Sequence, residues 1–372
     1  MGSIIREKVS RIDEDAWYKY RDKYVNASEV AVVLGQSEYQ VAADLLLKKS
    51  GWRDHFREGN KYTVYGNLLE DAIAEGWAYY DYADPSAYIA NYKNNHKIRK
   101  CERKNGSLRN TDFPWLSASL DRVIKKGNVN LINGDILEVD CPLELKTIDK
   151  YVMNKWKSGV PNPYLLQLTT QMMVTGTYYG EIFMMSSDRE FHLYPVDYRE
   201  SLGESILEKT EAFHKLVAKV STYKEMYDEA MLHGKNMEAQ KIEHEVLELC
   251  PLPGPGQEEL YREFLTEQYN KPESETDMIG TEEDLIMARE MLYLDDYASH
   301  IKDLLEGKKN IARYKMGNRG LMRFEGTKFM LTWKADKNGK RSFKFSSPEL
   351  VDTKNDLIAY CEQKKISIQS TF

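Results

Sequence analysis

The sequence predicts a mixed α/β core followed by a mainly helical extension that ends in a β-hairpin. Three observations carry this. From Arg11 to about Tyr198, helical and strand-like patterns alternate, as they do in a layered α/β core. After residue 200 the texture changes to long charged stretches with helical spacing. Near the end, Phe329, Leu331 and Trp333 alternate, Asn338-Gly339 supplies a turn, and Phe343 and Phe345 return. The expected organisation is a core over 1–200, a helical accessory region over 201–310, and a hairpin with its tail over 311–372.

Within the core, a helix is expected around Tyr62 to Tyr80, then a basic loop, then strand-like runs from Trp115 to Ile124 and from Asp135 to Thr147. A helix follows over Pro163 to Thr175. Two strands, Tyr179 to Met185 and Glu190 to Val196, flank Ser187-Asp188-Arg189 as a hairpin. Later helical stretches cover Glu204 to Leu249, Gln257 to Gln268 and Glu282 to Leu305, the first two divided by the breaker Pro251-Leu252-Pro253-Gly254-Pro255-Gly256. Lys271 to Glu283 is acidic and polar, so an exposed loop is expected there.

The chain has 372 residues, 42% hydrophobic and 30% charged. No apolar run approaches the ~18 residues of a membrane helix, and the first eight residues lack the apolar stretch of a signal peptide. A soluble cytoplasmic protein is expected. Four scattered cysteines, Cys101, Cys141, Cys250 and Cys361, have no zinc or iron–sulfur spacing and read as free thiols. The net charge of −7 argues mildly against a nonspecific polyanion binder, but most of the deficit lies after residue 200. Contact with a polyanion would then rest on local patches.

The most informative tripeptide is Glu144-Leu145-Lys146. Residues two apart share a face of a strand, so Glu144 and Lys146 project together while Leu143 and Leu145 enter a core. A carboxylate beside an ammonium suits phosphodiester hydrolysis, where oxygen ligands hold Mg²⁺ and a cation orients the attacking water. Alone, the tripeptide more often marks an exposed salt-bridged strand. Asp121 is expected on a neighbouring strand, sharing a face with Ser117 and Ser119 and meeting Glu144 across the pair. An aspartate paired with Arg122 or Lys125 is the alternative.

Glu70 lies on a helix with Ile73, Ala74 and Trp77 at the spacings of one inward stripe. A carboxylate on a buried face needs a partner or a metal, and the alternative is a glutamate at the stripe's edge that reaches solvent. Tyr164, Gln167 and Gln171 form a polar stripe on an otherwise apolar helix, where amides would bind phosphate or water, or would simply face solvent. Between helix and strand, Lys97, Arg99, Lys100, Arg103 and Lys104, with Lys93 and Arg109, form a basic run that is a candidate contact for a nucleic-acid backbone. Trp333, Lys334, Lys340 and Arg341 would extend that contact, serve a partner, or belong to a core.

The order helix-Glu70, strand-Asp121, strand-Glu144-x-Lys146, helix-Gln167 resembles that of the PD-(D/E)xK nucleases, and more narrowly the lambda-type, YqaJ-like phage exonucleases. Gly66 to Glu70 resembles the family's Gly-x-x-x-Glu helix, Leu143 to Lys146 its LK strand, and Tyr164 to Gln167 its Tyr-x-x-Gln helix. Arg21 and Ser28 match an arginine and a helix-starting serine, seven residues apart, that hold the DNA 5′-phosphate in the family. The chemistry agrees, since arginine grips phosphate with two parallel hydrogen bonds and a helix start favours anions. Ser28 also reads as a plain N-cap, with Ser28 to Leu34 as the helix start.

The resemblance spans roughly residues 12 to 200 and implies a restriction-endonuclease-like core, a mixed central sheet flanked by helices. It implies hydrolysis of linear duplex DNA from the 5′ end, leaving 3′ overhangs. Mg²⁺, replaceable by Mn²⁺, would be held by Asp121, Glu144, the Leu145 carbonyl and Glu70, with Lys146, Gln167 and Tyr164 as catalytic groups. Arg21, Ser28, Gln171 and the basic run would contact DNA. A single-strand annealing protein is the implied partner, and a homo-oligomer is compatible. Two departures stand out: Ser119-Leu120-Asp121-Arg122 replaces the frequent Pro-Asp-Gly, and residues 201 to 372 form a long extension. A structure-specific or other-polarity endonuclease and a catalytically silent DNA-binding or assembly protein are the competing expectations.

Overall fold

A computed structural model describes residues 2–7, 14–54, 61–157, 159–269, 281–323, 330–335 and 341–346. The chain divides into two compact units, Met1–Pro272 and Glu273–Phe372. The mixed α/β class expected from the alternating patterns is what the first unit adopts.

Its opening elements are β1 (Ile4–Glu7), α1 (Glu14–Asp22), β2 (Val25–Asn26), α2 (Val30–Val33), α3 (Ala42–Lys49), α4 (Lys61–Tyr79) and α5 (Tyr88–Lys93). Short strands β3 (Cys101–Glu102), β4 (Ser107–Asn110), β5 (Phe113–Ala118) and β6 (Arg122–Ile124) follow. Then come β7 (Cys141–Ile148), α6 (Asn162–Thr175), β8 (Tyr179–Ser186) and β9 (Phe191–Asp197). The first unit closes with α7 (Glu200–Leu232), α8 (Asn236–Glu248) and α9 (Glu258–Gln268).

Among the described residues of this unit, one sheet runs β1-β4-β5-β2 and another β3-β6-β7-β8-β9. In the second, β7 pairs parallel with β8 and antiparallel with β6, while β8 and β9 form the expected antiparallel hairpin. The run Trp115 to Ile124 is therefore two strands, not one. The chain leaves the first sheet after Ala118 and enters the second at Arg122, and the alternation simply continues across the fork. The run from Asp135 also begins outside the sheet, with Ile136 in an isolated bridge to Val129, and the strand starts at Cys141.

Two layers of helix cover the second sheet. On one face, α4 sends Ile73 and Trp77 onto Leu143, Leu145 and Phe183. On the other, Leu168 and Met172 of α6 meet Ile148, Ile182 and Met184. This settles the parity of β7, with Leu143 and Leu145 against α4 and Glu144 and Lys146 toward α6. At Gly180 the helix and sheet approach so closely that a Cβ would lie 2.9 Å from Leu168 Cδ1 and 3.2 Å from the Pro142 carbonyl oxygen.

Beneath α4 lies a buried polar knot. Glu181, fully buried, accepts from Trp77 Nε1 at 2.7 Å, Tyr179 Oη at 2.6 Å and Arg99 at 2.9 and 3.0 Å. Arg99 also lies over the Trp77 ring, 4.0 Å from its centroid. A buried carboxylate with an arginine and two neutral donors has its charge offset where it sits, and it ties α4 to the sheet.

The stretch Glu204 to Leu249 is two helices. Gly234, at φ 70°, turns the chain so that α8 folds back on α7 through Ala230, Ala239 and Ile242. In the second unit, α10 (Glu282–Met316) continues past its expected end at Leu305, and β10 (Leu321–Arg323), β11 (Met330–Ala335) and β12 (Arg341–Ser346) form an antiparallel sheet. That sheet contains the expected hairpin, with Leu331 opposite Phe345 and Trp333 opposite Phe343. Phe329, Asn338-Gly339, Lys340 and Cys361 lie outside the described residues, as does most of the loop expected over Lys271 to Glu283. Arg341 stacks on Trp333 at 4.1 Å. No helix among the described residues is long and apolar enough to cross a membrane.

Candidate active site

The fork between β5 and β6 creates the site. β6 pairs with β7 only as far as Leu143, so the next inward-facing N–H on that edge, at Leu145, has no strand to bond. Asp121, in the loop of the fork, supplies the acceptor through Oδ2 at 2.9 Å. Asp121 is thus not a strand residue facing Glu144 by parity, as the alternation suggested, but a loop carboxylate inserted where a strand has ended.

Glu144 points from β7 toward α6 and is almost fully buried. Its Oε1 accepts from Gln167 Nε2 at 2.6 Å and lies 2.5 Å from Lys146 Nζ, while Oε2 accepts from Gln171 Nε2 at 2.6 Å. Two amides and an ammonium therefore clasp one carboxylate. Lys146 Nζ also donates to Gln167 Oε1 at 3.4 Å. The polar stripe on α6 faces inward, not toward solvent. Gln171 is fully buried, so it holds Glu144 and is removed from the expected DNA contacts.

These groups share a cavity of 270 Å³ lined by Arg21, Ser28, Glu70, Asp121, Glu144, Leu145, Lys146 and Gln167. Residues separated by more than a hundred positions converge here. Tyr164 is not in that lining. Its ring stacks on Trp156 at 4.9 Å and lies 5.6 Å below Lys146 Nζ, so it backs the lysine through its face.

The electrostatics follow from burial and crowding. Burial and then the Glu144 carboxylate push Asp121 up to about 7. Burial opposes the charge on Lys146, but Glu144 and Asp121 outweigh it and push the ammonium up to about 12. Glu70 accepts from Arg122 and from Arg103 at 3.1 Å, and the same two guanidiniums bind Asp71. Arg122, the residue standing where glycine is frequent, is buried and anchors this clamp. Among the described residues, no group of three or more His, Cys, Asp or Glu side chains is gathered to hold a metal. Asp121 and Glu144 do form a two-carboxylate set of hard donors, and a cation between them would remove the repulsion that raises Asp121. Glu70 lines the same cavity but is engaged by arginine.

At the other end, Arg21 Nη2 donates to Ser28 Oγ at 3.0 Å and pairs with Glu29 Oε1 at 2.9 Å. Ser28 lies in a 3₁₀ turn (Ala27–Glu29) that runs into α2, and the N-cap is Asn26, whose backbone N–H donates to Glu29 at 3.0 Å. The expected N-cap at Ser28 is therefore corrected by two residues, and the helix is a single short turn. Glu29 is further held by Lys49 at 2.8 Å. Burial alone would raise Glu29, but Lys49 and Arg21 hold it down at about 2. A carboxyl depressed from its ordinary 4.5 contributes stability that is complete above 4.5 and is lost as pH falls toward 2. At ~1.36 kcal/mol per unit this amounts to about 3 kcal/mol. Urea titrations from pH 5 to 2 should show this loss in the wild type, and a much flatter acid limb in Glu29→Gln.

The basic run divides. Arg99 is buried in the Glu181 knot and is withdrawn from the expected DNA contacts. Lys97 pairs with Glu75 at 2.8 Å, Arg103 reaches the clamp on Glu70, Lys100 is exposed and Lys104 is half-buried. Sequence reasoning missed Asn26 and Glu181, and it considered Arg122 only as a partner of Asp121, not of Glu70 and Asp71. For Glu181 a signal existed, a lone acid in the apolar run of β8.

Residues 16–178 match the model of the YqaJ-like viral recombinase domain. No curated protein matches the chain. Among solved structures, an alkaline exonuclease from Laribacter hongkongensis is similar at 18% identity, over 58% of this chain and 99% of that one, with a TM-score of 0.41. The same protein in complex with dAMP gives 18% identity, the same coverage and a TM-score of 0.40. A phage related exonuclease from Haemophilus somnus 129PT gives 13% identity, over 54% of this chain and 95% of that one, and a TM-score of 0.35. Residues 16–178 are thus similar to the YqaJ-like viral recombinase domain, the family that the motifs resemble.

Proposed function

We propose that this protein is a divalent-metal-dependent exonuclease that hydrolyses linear double-stranded DNA from the 5′ end and leaves 3′ single-stranded overhangs. The observation that carries the reading is the shared cavity, which has Asp121, Glu144 and Lys146 with Arg21 and Ser28 in its walls. A YqaJ-like viral recombinase domain accords with DNA as the substrate.

In this reading Asp121, Glu144 and the Leu145 carbonyl hold Mg²⁺, or Mn²⁺ in its place. The ion, when bound, supplies Lewis-acid polarisation of the phosphate and a more acidic attacking water. Lys146, kept charged by its two carboxylate neighbours, acts as a fixed cation that orients water and offsets charge developing on the phosphate, not as a proton acceptor. Gln167 and Gln171 fix the Glu144 carboxylate. Arg21 and Ser28 receive the terminal 5′-phosphate, which would take the place of Glu29 on the arginine. Glu70 remains in its arginine clamp and shapes the wall. The 3′ overhang would pass to a single-strand annealing protein.

The test is direct. With Mg²⁺, linear duplex should be degraded and closed circular duplex left intact, and chelation should stop degradation. Cutting of circles at a comparable rate would replace this reading with an endonuclease.

A further inference from the structure

We propose that Glu29 is a built-in competitor for the terminal 5′-phosphate, setting how tightly a DNA end is gripped and how readily the cut fragment leaves. The inference rests on the reading of Arg21 and Ser28 as the 5′-phosphate site. Arg21 Nη2 already has two acceptors, Ser28 Oγ at 3.0 Å and Glu29 Oε1 at 2.9 Å. Both edges of a guanidinium that offer two parallel bonds include Nη2, so a phosphate gripped in this way must displace one of these acceptors. Ser28 can turn its hydroxyl and donate to a phosphate oxygen, whereas an ionised carboxylate has nothing to donate. Glu29 is therefore the rival, and two anions contend for one cation.

The carboxylate can give up one oxygen and keep the other. Oε2 accepts from the Asn26 backbone N–H at 3.0 Å, from Asn26 Nδ2 at 2.9 Å and from Lys49 Nζ at 2.8 Å, while Oε1 reaches Arg21. Lys49 is buried and also donates to the carbonyls of Arg21 and Tyr24, at 2.8 Å each. One ammonium thus fixes both the backbone of the arginine and the far oxygen of the glutamate. Releasing Arg21 leaves Glu29 neutralised where it stands. A cavity of 350 Å³ bordered by Arg21, Ser28 and Glu29 gives Oε1 room to withdraw. Hydrolysis from the 5′ end releases a fragment that still carries the phosphate held by Arg21. A grip without a rival would retain that fragment, and Glu29 returns to the arginine as the fragment departs.

Calorimetry with 5′-deoxyadenylate in the presence of chelator, and with deoxyadenosine as the phosphate-free control, tests this. Glu29→Gln should bind the nucleotide about tenfold more tightly than wild type, near the low end for one unit charge at contact distance, with no gain for deoxyadenosine. The gain should vanish when Arg21→Ala is added. On 5′-phosphorylated duplex, Glu29→Gln should lower kcat and KM together, whereas a loss of folded protein lowers kcat alone. Glu29→Asp leaves an anion for Lys49 but is one methylene shorter, so it should shift affinity the same way, and it decides the matter if circular dichroism shows the glutamine variant unfolded. Nucleotide binding that is unchanged or weaker in the folded variants overturns the inference and leaves Glu29 a structural anchor alone. A gain that persists without Arg21 overturns it too. The end preference of the wild type is a separate reading: if 5′-phosphate and 5′-hydroxyl ends bind equally, the assignment of Arg21 and Ser28 falls first, whereas a wild type that prefers the phosphate beside indifferent Glu29 variants sinks this inference alone.

Discussion

Replacing Lys146 with alanine is expected to slow metal-dependent degradation of linear duplex DNA by ~10²–10³-fold, the usual loss when one preorganised charge donor is removed from a hydrolytic site. The size follows from the surroundings. Nζ lies 2.5 Å from Glu144 and 3.4 Å from Gln167, and Tyr164 backs it with its ring. A cation fixed this way spends nothing on reorganisation when the phosphate gains charge. DNA affinity should change little, since the proposed backbone contacts lie at other residues, so binding measured by filter retention separates lost chemistry from lost docking. If wild type and variant bind DNA equally and neither degrades it, the protein is a catalytically silent binder and the nuclease reading falls. Retention of full activity by the variant would move the chemistry away from this cavity.

The second large effect is expected at Arg21. Wild type should prefer a 5′-phosphorylated end over a 5′-hydroxyl end, and Arg21→Ala should erase the preference. A charge-assisted bond contributes about 1.5–3 kcal/mol, which is roughly 10- to 150-fold in affinity. Rates on the hydroxyl end should hardly move, because that substrate never offers the arginine a partner. Arg21→Lys should recover only part of the preference, since an ammonium lacks the guanidinium fork. The arginine is positioned for this by Glu29 and Ser28. A variant that still discriminates between the two ends would refute the assignment.

Much of the architecture was legible wherever periodicity ran unbroken. The helix bearing Glu70, the helix bearing Gln167 and the hairpin after it all lie within a residue or two of their expected bounds. Parity placed Glu144 and Lys146 on one face, and they are in contact. Legibility failed where local pattern stopped reporting tertiary position. The alternation around Asp121 runs straight through the point where the chain changes sheets. One glycine in a long charged stretch gave little warning that Gly234 reverses the chain. Arg99 looked like its exposed neighbours because its partner Glu181 lies 82 residues away. Gln171 looked solvated because uncharged polar residues on a helix usually are, and nothing nearby in sequence reveals that Glu144 waits beneath it.

Gly180 has a further consequence. It touches no candidate substrate group, yet the spacing between α6 and the sheet is set by the absence of its side chain, with Leu168 and Pro142 filling the room a methyl would need. Any larger residue would act as a shim under the helix, lifting the two glutamines off the carboxylate they grip. The calibration of the candidate site is therefore stored one layer away from it, in a hydrogen atom.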